Sequence, residues 1–143
     1  MKIILSRKGF DSSYGGQASP ILPDGTLLSL PIPYNNIQPT RFTDILYKGQ
    51  SYFEIIRQLK DNKQINEQTF CHLDPDIRKD TVKRDSGWNG LFGQSGGAQT
   101  HLENKGIGEN ALFLFFGWFK KTEEKYGKLK YVRNAPDLHV IRS

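Results

Sequence analysis

Apolar runs along this chain are short, and most are closed by glycine or proline within a few positions. The first, KIILS, reads as a short strand. It ends in RKGFDSSYGGQASP, where Gly9, Gly15, Gly16 and Pro20 predict a loop. Arg7 and Lys8 stand at the mouth of that loop as donors, Asp11 as an acceptor, with Ser12 beside it. In ILPDGTLLSLPIP, Pro23-Asp24-Gly25 falls between apolar runs. Proline fixes φ and glycine accepts positive φ, so a hairpin turn is predicted, its second strand over residues 27–32. GQSYFEIIRQLKD carries the Ser-x-x-Glu capping box, Ser51 to Glu54, followed by Phe53, Ile56 and Leu59 or Lys60 at helical spacing. A helix is predicted over 52–60. NKQINEQTFCHLDPDIR reads as a loop or short strand, interrupted by Pro75.

The second half is richer in strand signals. ALFLFFGWF reads as a strand buried on both faces, because large apolar residues fill it and no helix cap precedes it. KYGKLKYVR predicts a turn at Tyr126-Gly127 and a returning strand, and PDLHVI begins another. No internal repeat or linker interrupts the pattern. The expected class is α+β: a curved, mainly antiparallel sheet or a small barrel, with one or two helices packed on it.

Composition narrows the class without naming a function. With 143 residues, 36% hydrophobic and 24% charged, the chain can bury a core and is not disordered. No run approaches the roughly 18 apolar residues of a membrane span. The opening MKIILSRKGF is too short and too soon charged for a signal peptide. A single cysteine, Cys71, excludes an internal disulfide framework and fits a reducing compartment. One cytoplasmic domain over 1–143 is therefore expected.

The net charge of +5 and the pI near 9.3 suit a polyanionic partner. Lys120, Lys121, Lys125, Lys128, Lys130 and Arg133 gather at the predicted hairpin, and Arg78, Lys79, Lys83 and Arg84 form a second group. Nucleic-acid contact is expected from Lys120, Lys121, Lys128, Lys130 and Arg133. The alternative for both groups is a solvated surface.

Candidate chemistry lies in three places. In CHLDPD, His72, Asp74 and Asp76 share one side of an extended segment and could ligate a divalent metal. Their spacing matches no specific metal signature, so no metal or other cofactor is predicted, and a divalent ion is kept as the alternative. Cys71 and His72 are sequence neighbours and point apart on a strand, which argues against a nucleophile pair. Ser95 sits in a formal Gly-x-Ser-x-Gly at Gly93–Gly97, but without the buried strand before it and the helix after it that a nucleophile elbow needs. The stretch GLFGQSGGAQTHLENKG fits ligand binding better. Successive small residues expose backbone N–H groups, and Gln94, Ser95, Gln99, Thr100 and His101 add polar side chains. Trp88 and Phe92 flank the stretch and could stack on a planar base.

At these motifs the chain resembles a known family. KIILSRKGFDSSYGG, SPILPDGTLLSLPIP, CHLDPDIR, LFGQSGGAQTHLENKGIG, LFLFFGWF and APDLHVI look, in order, like the motif series of the third nucleotide-modification-associated domain family. The resemblance spans nearly the whole chain. It implies a bacterial or phage protein working alongside base-modification systems, with no reaction named. Family members continue past PDLHVI with another aromatic strand, so a chain truncated at its C-terminus is expected. A weaker similarity links NKGIGENALFLFFGWF to the segment before the central strand of PUA-like domains, which favours a small PUA-like barrel.

Three functions follow as expectations. The first is a nucleotide- or modified-nucleobase-binding domain in base modification or phage defence, with Lys8, Asp11, Ser12, His72, Asp74, Trp88, Gln94, Ser95, Gln99 and His101 forming one site. The second is a nucleotide-modifying enzyme in which Asp74, Asp76 and His101 act as acid–base or metal groups and Lys8 holds phosphate. The third is a non-catalytic scaffold for base-modification enzymes.

Overall fold

The computed structural model describes residues 1–73, 82–89 and 111–142. In chain order the described elements are β1 (Lys2–Arg7), β2 (Ser19–Ile21), β3 (Ile32–Tyr34), β4 (Leu46–Tyr47), β5 (Gln50–Ser51), α1 (Tyr52–Leu59), β6 (Phe70–His72), β7 (Ala111–Lys125), β8 (Lys128–Tyr131) and β9 (Leu138–Arg142).

The 15-residue β7 is the spine of a five-stranded mixed sheet. β1 pairs with it in parallel, from Lys2 opposite Ala111 to Arg7 opposite Phe116, and β2 follows in parallel at Phe119 to Lys121. β8 and β9 pair with it antiparallel. Phe119 is opposite both Ser19 and Leu138, and Phe116 is opposite both Arg7 and Ile141. A strand has two edges, so β1 and β2 must share one edge of β7 while β8 and β9 share the other. The β7–β8 turn has positive φ at Tyr126 (52°) and Gly127 (75°), which matches the right-handed twist of the strands it joins. Two short ladders, β3 with β6 and β4 with β5, complete the pairing. Four of the six strand pairings among the described residues are antiparallel, yet the main sheet is mixed. No pairing among the described residues closes it into a barrel, which corrects the barrel expectation.

The helix forms where the capping box placed it. Ser51 is extended at φ −72° and ψ 151°, and its Oγ accepts from the Glu54 N–H at 3.1 Å. Lys60 is the C-cap and not the last helical residue. Tyr52, Phe53, Ile55 and Ile56 are buried, each contributing about 1.5–3 kcal/mol by transfer from water. They join Phe10, Leu28, Leu30, Phe42, Ile45 and Cys71 in the core. Gln58 Oε1 also accepts the Leu129 N–H at 2.9 Å, so the helix covers the outer edge of β8.

Two expectations change on folding. The Pro23–Gly25 turn is present, held by Thr26 N–H to Asp24 Oδ1 at 2.9 Å and by Leu22 N–H to the Thr26 carbonyl at 2.8 Å. The strand expected after it shrinks to a bridge between Ile21 and Leu27. Pro31 lacks an N–H for a ladder, and Leu28 and Leu30 turn fully into the core instead. The Leu30 N–H is held by Ser19 Oγ at 3.0 Å.

β7 is also not buried on both faces. Gly117 and Phe119 are buried while Leu112 is 42% exposed; beyond Lys120, Thr122 is buried and Lys121 exposed. The covered face thus passes from odd to even positions along the strand; since alternate residues keep to one face, each end of β7 is covered on a different face.

Candidate functional site

Glycine builds the centre of the described site. Gly15 has φ +95° and Gly16 φ +69°, and a Cβ on Gly15 would collide with the Phe10 ring. The loop before them is an Asx turn. Asp11 Oδ1 accepts from the N–H groups of Ser13 at 2.8 Å and Tyr14 at 2.6 Å, and the Asp11 carbonyl accepts from Gly16 N–H. A set of amides ties this loop to the segment after the helix. Asn62 Nδ2 donates to the Gly15 carbonyl at 2.6 Å and to Gln17 Oε1 at 2.7 Å. Gln64 Oε1 accepts from Gly15 N–H at 3.1 Å, and Lys60 Nζ donates to the Gly16 carbonyl at 3.0 Å. Gln17 Nε2 continues to the Tyr131 hydroxyl at 3.2 Å, reaching β8.

This bracing sets one wall of an open groove of about 610 Å³. Tyr14 lines this groove, together with Tyr34 and Phe70, cross-strand partners on β3 and β6. Tyr14 is 57% and Tyr34 40% exposed, so both rings are open to a ligand. Asn35, Gln64, Asn66 and Gln68 line the same space with amide donors and acceptors. His72 lies beside Tyr34 on the same face of the β3–β6 ladder, ring centroids 5.8 Å apart and planes at 33°. The Arg41 guanidinium lies 5.0 Å from the Phe70 ring centroid, placing a permanent cation beside the groove.

The expected ligand residues are divided by the structure. Asp11 and Ser12 lie in the loop that carries Tyr14, and His72 reaches the groove through Tyr34. Lys8 is not among the residues lining the groove, and its Nζ lies 6.0 Å from the Phe115 ring centroid. Trp88 has one ring face occupied by the Arg84 guanidinium, 4.0 Å from its centroid. Asp74, Asp76, Gln94, Ser95, Gln99 and His101 lie outside the described residues. Among the described residues no three His, Cys, Asp or Glu side chains group to hold a metal ion. Cys71 is buried, its Sγ donating to the Thr40 carbonyl at 3.7 Å, and burial pushes its thiol up to about 12. It is a core residue and not a nucleophile at neutral pH.

The basic hairpin is likewise two surfaces and not one. Lys121, Lys125, Lys128 and Lys130 alternate outward on one face, with Glu123 among them 3.2 Å from Lys125. Lys120 has the opposite parity, 3.8 Å from Asp137 and 5.8 Å from the Tyr131 ring centroid. Arg133 is exposed in the following turn.

Sequence reasoning missed Tyr14, Tyr34, Arg41, Asn62 and Gln64. The available signal was the amide-rich DNKQINEQT between helix and strand, which reads as an ordinary loop until Gly15 is brought against it.

Fold and groove define a small α+β chain with a mixed sheet on one edge-shared spine and an aromatic, amide-lined recess beside a glycine loop. The chain belongs to the nucleotide modification associated domain 3 family, whose model matches residues 2–143. That description associates it with nucleotide modification. No curated protein and no solved structure matches the chain. No helix of the described residues is long and apolar enough to cross a membrane.

Proposed function

We propose that this chain binds a nucleotide or modified nucleobase in the groove between Tyr14 and Tyr34, serving nucleic-acid base modification or phage defence in the cytoplasm. The observation that carries this is the pairing of two exposed tyrosines with four amide side chains around one 610 Å³ space. A base offers a flat face for stacking and an edge of alternating donors and acceptors, and this lining supplies counterparts to both. The volume falls within the roughly 300–1,000 Å³ of small-molecule sites. Arg41, against the Phe70 ring that lines the groove, is a cation available to a phosphate. In this reading Asp74, Gln94, Ser95, Gln99 and His101 add contacts from their own segments. If the domain also catalyses, Asp74, Asp76 and His101 are the acid–base or metal groups.

Calorimetric titration with unmodified and 5-substituted pyrimidine and purine monophosphates, with and without Mg²⁺, tests the reading. Binding is expected for at least one of them. Tyr34→Ala should weaken it about tenfold or more, since stacking on an aromatic contributes about 1–3 kcal/mol per base. No binding by the folded wild type, or binding indifferent to both Tyr14→Ala and Tyr34→Ala, overturns it.

A further inference from the structure

The outward face of the β1–β7–β9 sheet carries a second set of residues, separate from the groove. Residues in register across a sheet share a face, so Arg7 sits with Phe116, Phe116 with Ile141, and Trp118 with His139. The Arg7 guanidinium lies 5.8 Å from the Phe116 centroid, and His139 lies 6.4 Å from the same ring. The Trp118 indole N–H donates to Asp137 Oδ1 at 3.0 Å, which fixes the plane of the ring. Asp137 also lies 3.8 Å from Lys120 Nζ, so its charge is offset locally and Lys120 is held next to Trp118. The result is two aromatic rings and an imidazole in a row, with Arg7 at one end and Lys120 at the other.

We infer that this face binds single-stranded nucleic acid, with bases stacked on Phe116 and Trp118 and phosphates met by Arg7 and Lys120. Phe116 and Trp118 are alternate residues of one strand, about 6.6 Å apart along it, a spacing that splayed neighbouring bases can follow. Among the described residues this face is formed by strands alone, which suits an unpaired strand and not the major groove of a duplex. Cations at both ends of the row, on a chain of net charge +5, give the charge complementarity that a strand of phosphates requires. Exposed Ile3, Leu5, Leu112 and Ile141 continue the same face beyond the aromatic row. Pairing of that apolar band with a second copy of the chain is the competing occupant.

Trp88 and Trp118 are the two tryptophans of the chain, so Trp88→Phe leaves Trp118 as the sole indole reporter. Titrating that variant with a short oligothymidylate should quench its emission, because stacking brings a base onto the ring. Trp118→Leu should weaken binding of the labelled oligonucleotide on the order of tenfold, whereas Trp118→Phe retains most of it. Arg7→Gln with Lys120→Gln should flatten the salt dependence. Tyr34→Ala is expected to leave oligonucleotide binding intact while weakening mononucleotide binding about tenfold or more, so this site and the groove succeed or fail separately. Binding without quenching, or equal binding by Trp118→Leu and Trp118→Phe, overturns the inference. So does sedimentation showing a dimer that Leu5→Glu dissociates and whose formation excludes the oligonucleotide.

Discussion

The side-chain amide of Asn62 donates to the backbone carbonyl of Gly15 at 2.6 Å, closing the glycine loop onto a segment 47 residues away. Its second contact, 2.7 Å to Gln17 Oε1, makes Asn62 the hub on which the groove wall rests.

Asn62→Ala removes both donations and leaves a buried carbonyl and a buried amide oxygen unsatisfied. The expected loss is about 1–3 kcal/mol for a buried unsatisfied group, read as a lower urea midpoint with unchanged slope. Nucleotide affinity should fall as well, because Tyr14 is carried by the loosened loop. A variant as stable as wild type would show that Asn62 does not brace the loop.

Gly15→Ala tests the backbone side of the same contact. At φ +95°, with the Phe10 ring in the space a methyl would take, both strain and overlap oppose the change. About 2 kcal/mol or more is expected from the conformation and the core displacement together. Gly25→Ala, with φ +88° and nothing within contact distance, should cost less. Comparing the two melts separates backbone strain from packing.

Alkaline stability follows from Cys71 and Tyr131. Burial raises the Cys71 thiol from 9.0 to about 12 and the Tyr131 phenol from 10.0 to about 12. Both groups therefore hold their protons longer in the folded than in the unfolded chain. Their contribution is complete below pH 9 and is lost as pH rises from about 9 to 12. Guanidinium melts across that range should show stability falling, and Cys71→Ala should flatten the lower part of the fall. A thiol reagent at pH 8 should modify the folded protein far more slowly than the unfolded one.

Replacing Lys121, Lys128 and Lys130 together by Ala probes the outward face of the hairpin. If all three meet phosphates, the log–log salt slope of single-strand binding should shrink by about 2, from roughly 0.7 per contact. Tm should be unchanged, since all three side chains are exposed. An unaltered slope assigns this face to solvent and leaves the phosphate contacts to Arg7 and Lys120.

What the sequence determined by itself is local. Ser51 and Glu54 set the helix start, because a cap is settled within four residues. Asp24-Gly25 and Tyr126-Gly127 set their turns, because each needs positive φ at defined positions. The motif series was enough to indicate the family that the whole-chain match shows. Tertiary structure decided everything that depends on which distant segments meet. Periodicity does not state the register of Lys2 on Ala111, so the parallel pairing of β1 and the mixed sheet were not legible. Leu28 and Leu30 read as strand until the core claims them, since burying two leucines outweighs a ladder in which Pro31 has no N–H to offer. The groove is the clearest case. Tyr34 and Gln64 lie in no motif and Tyr14 read only as part of a glycine loop; they line one groove once Asn62 and Gln64 hold the Gly15 loop against the segment after the helix.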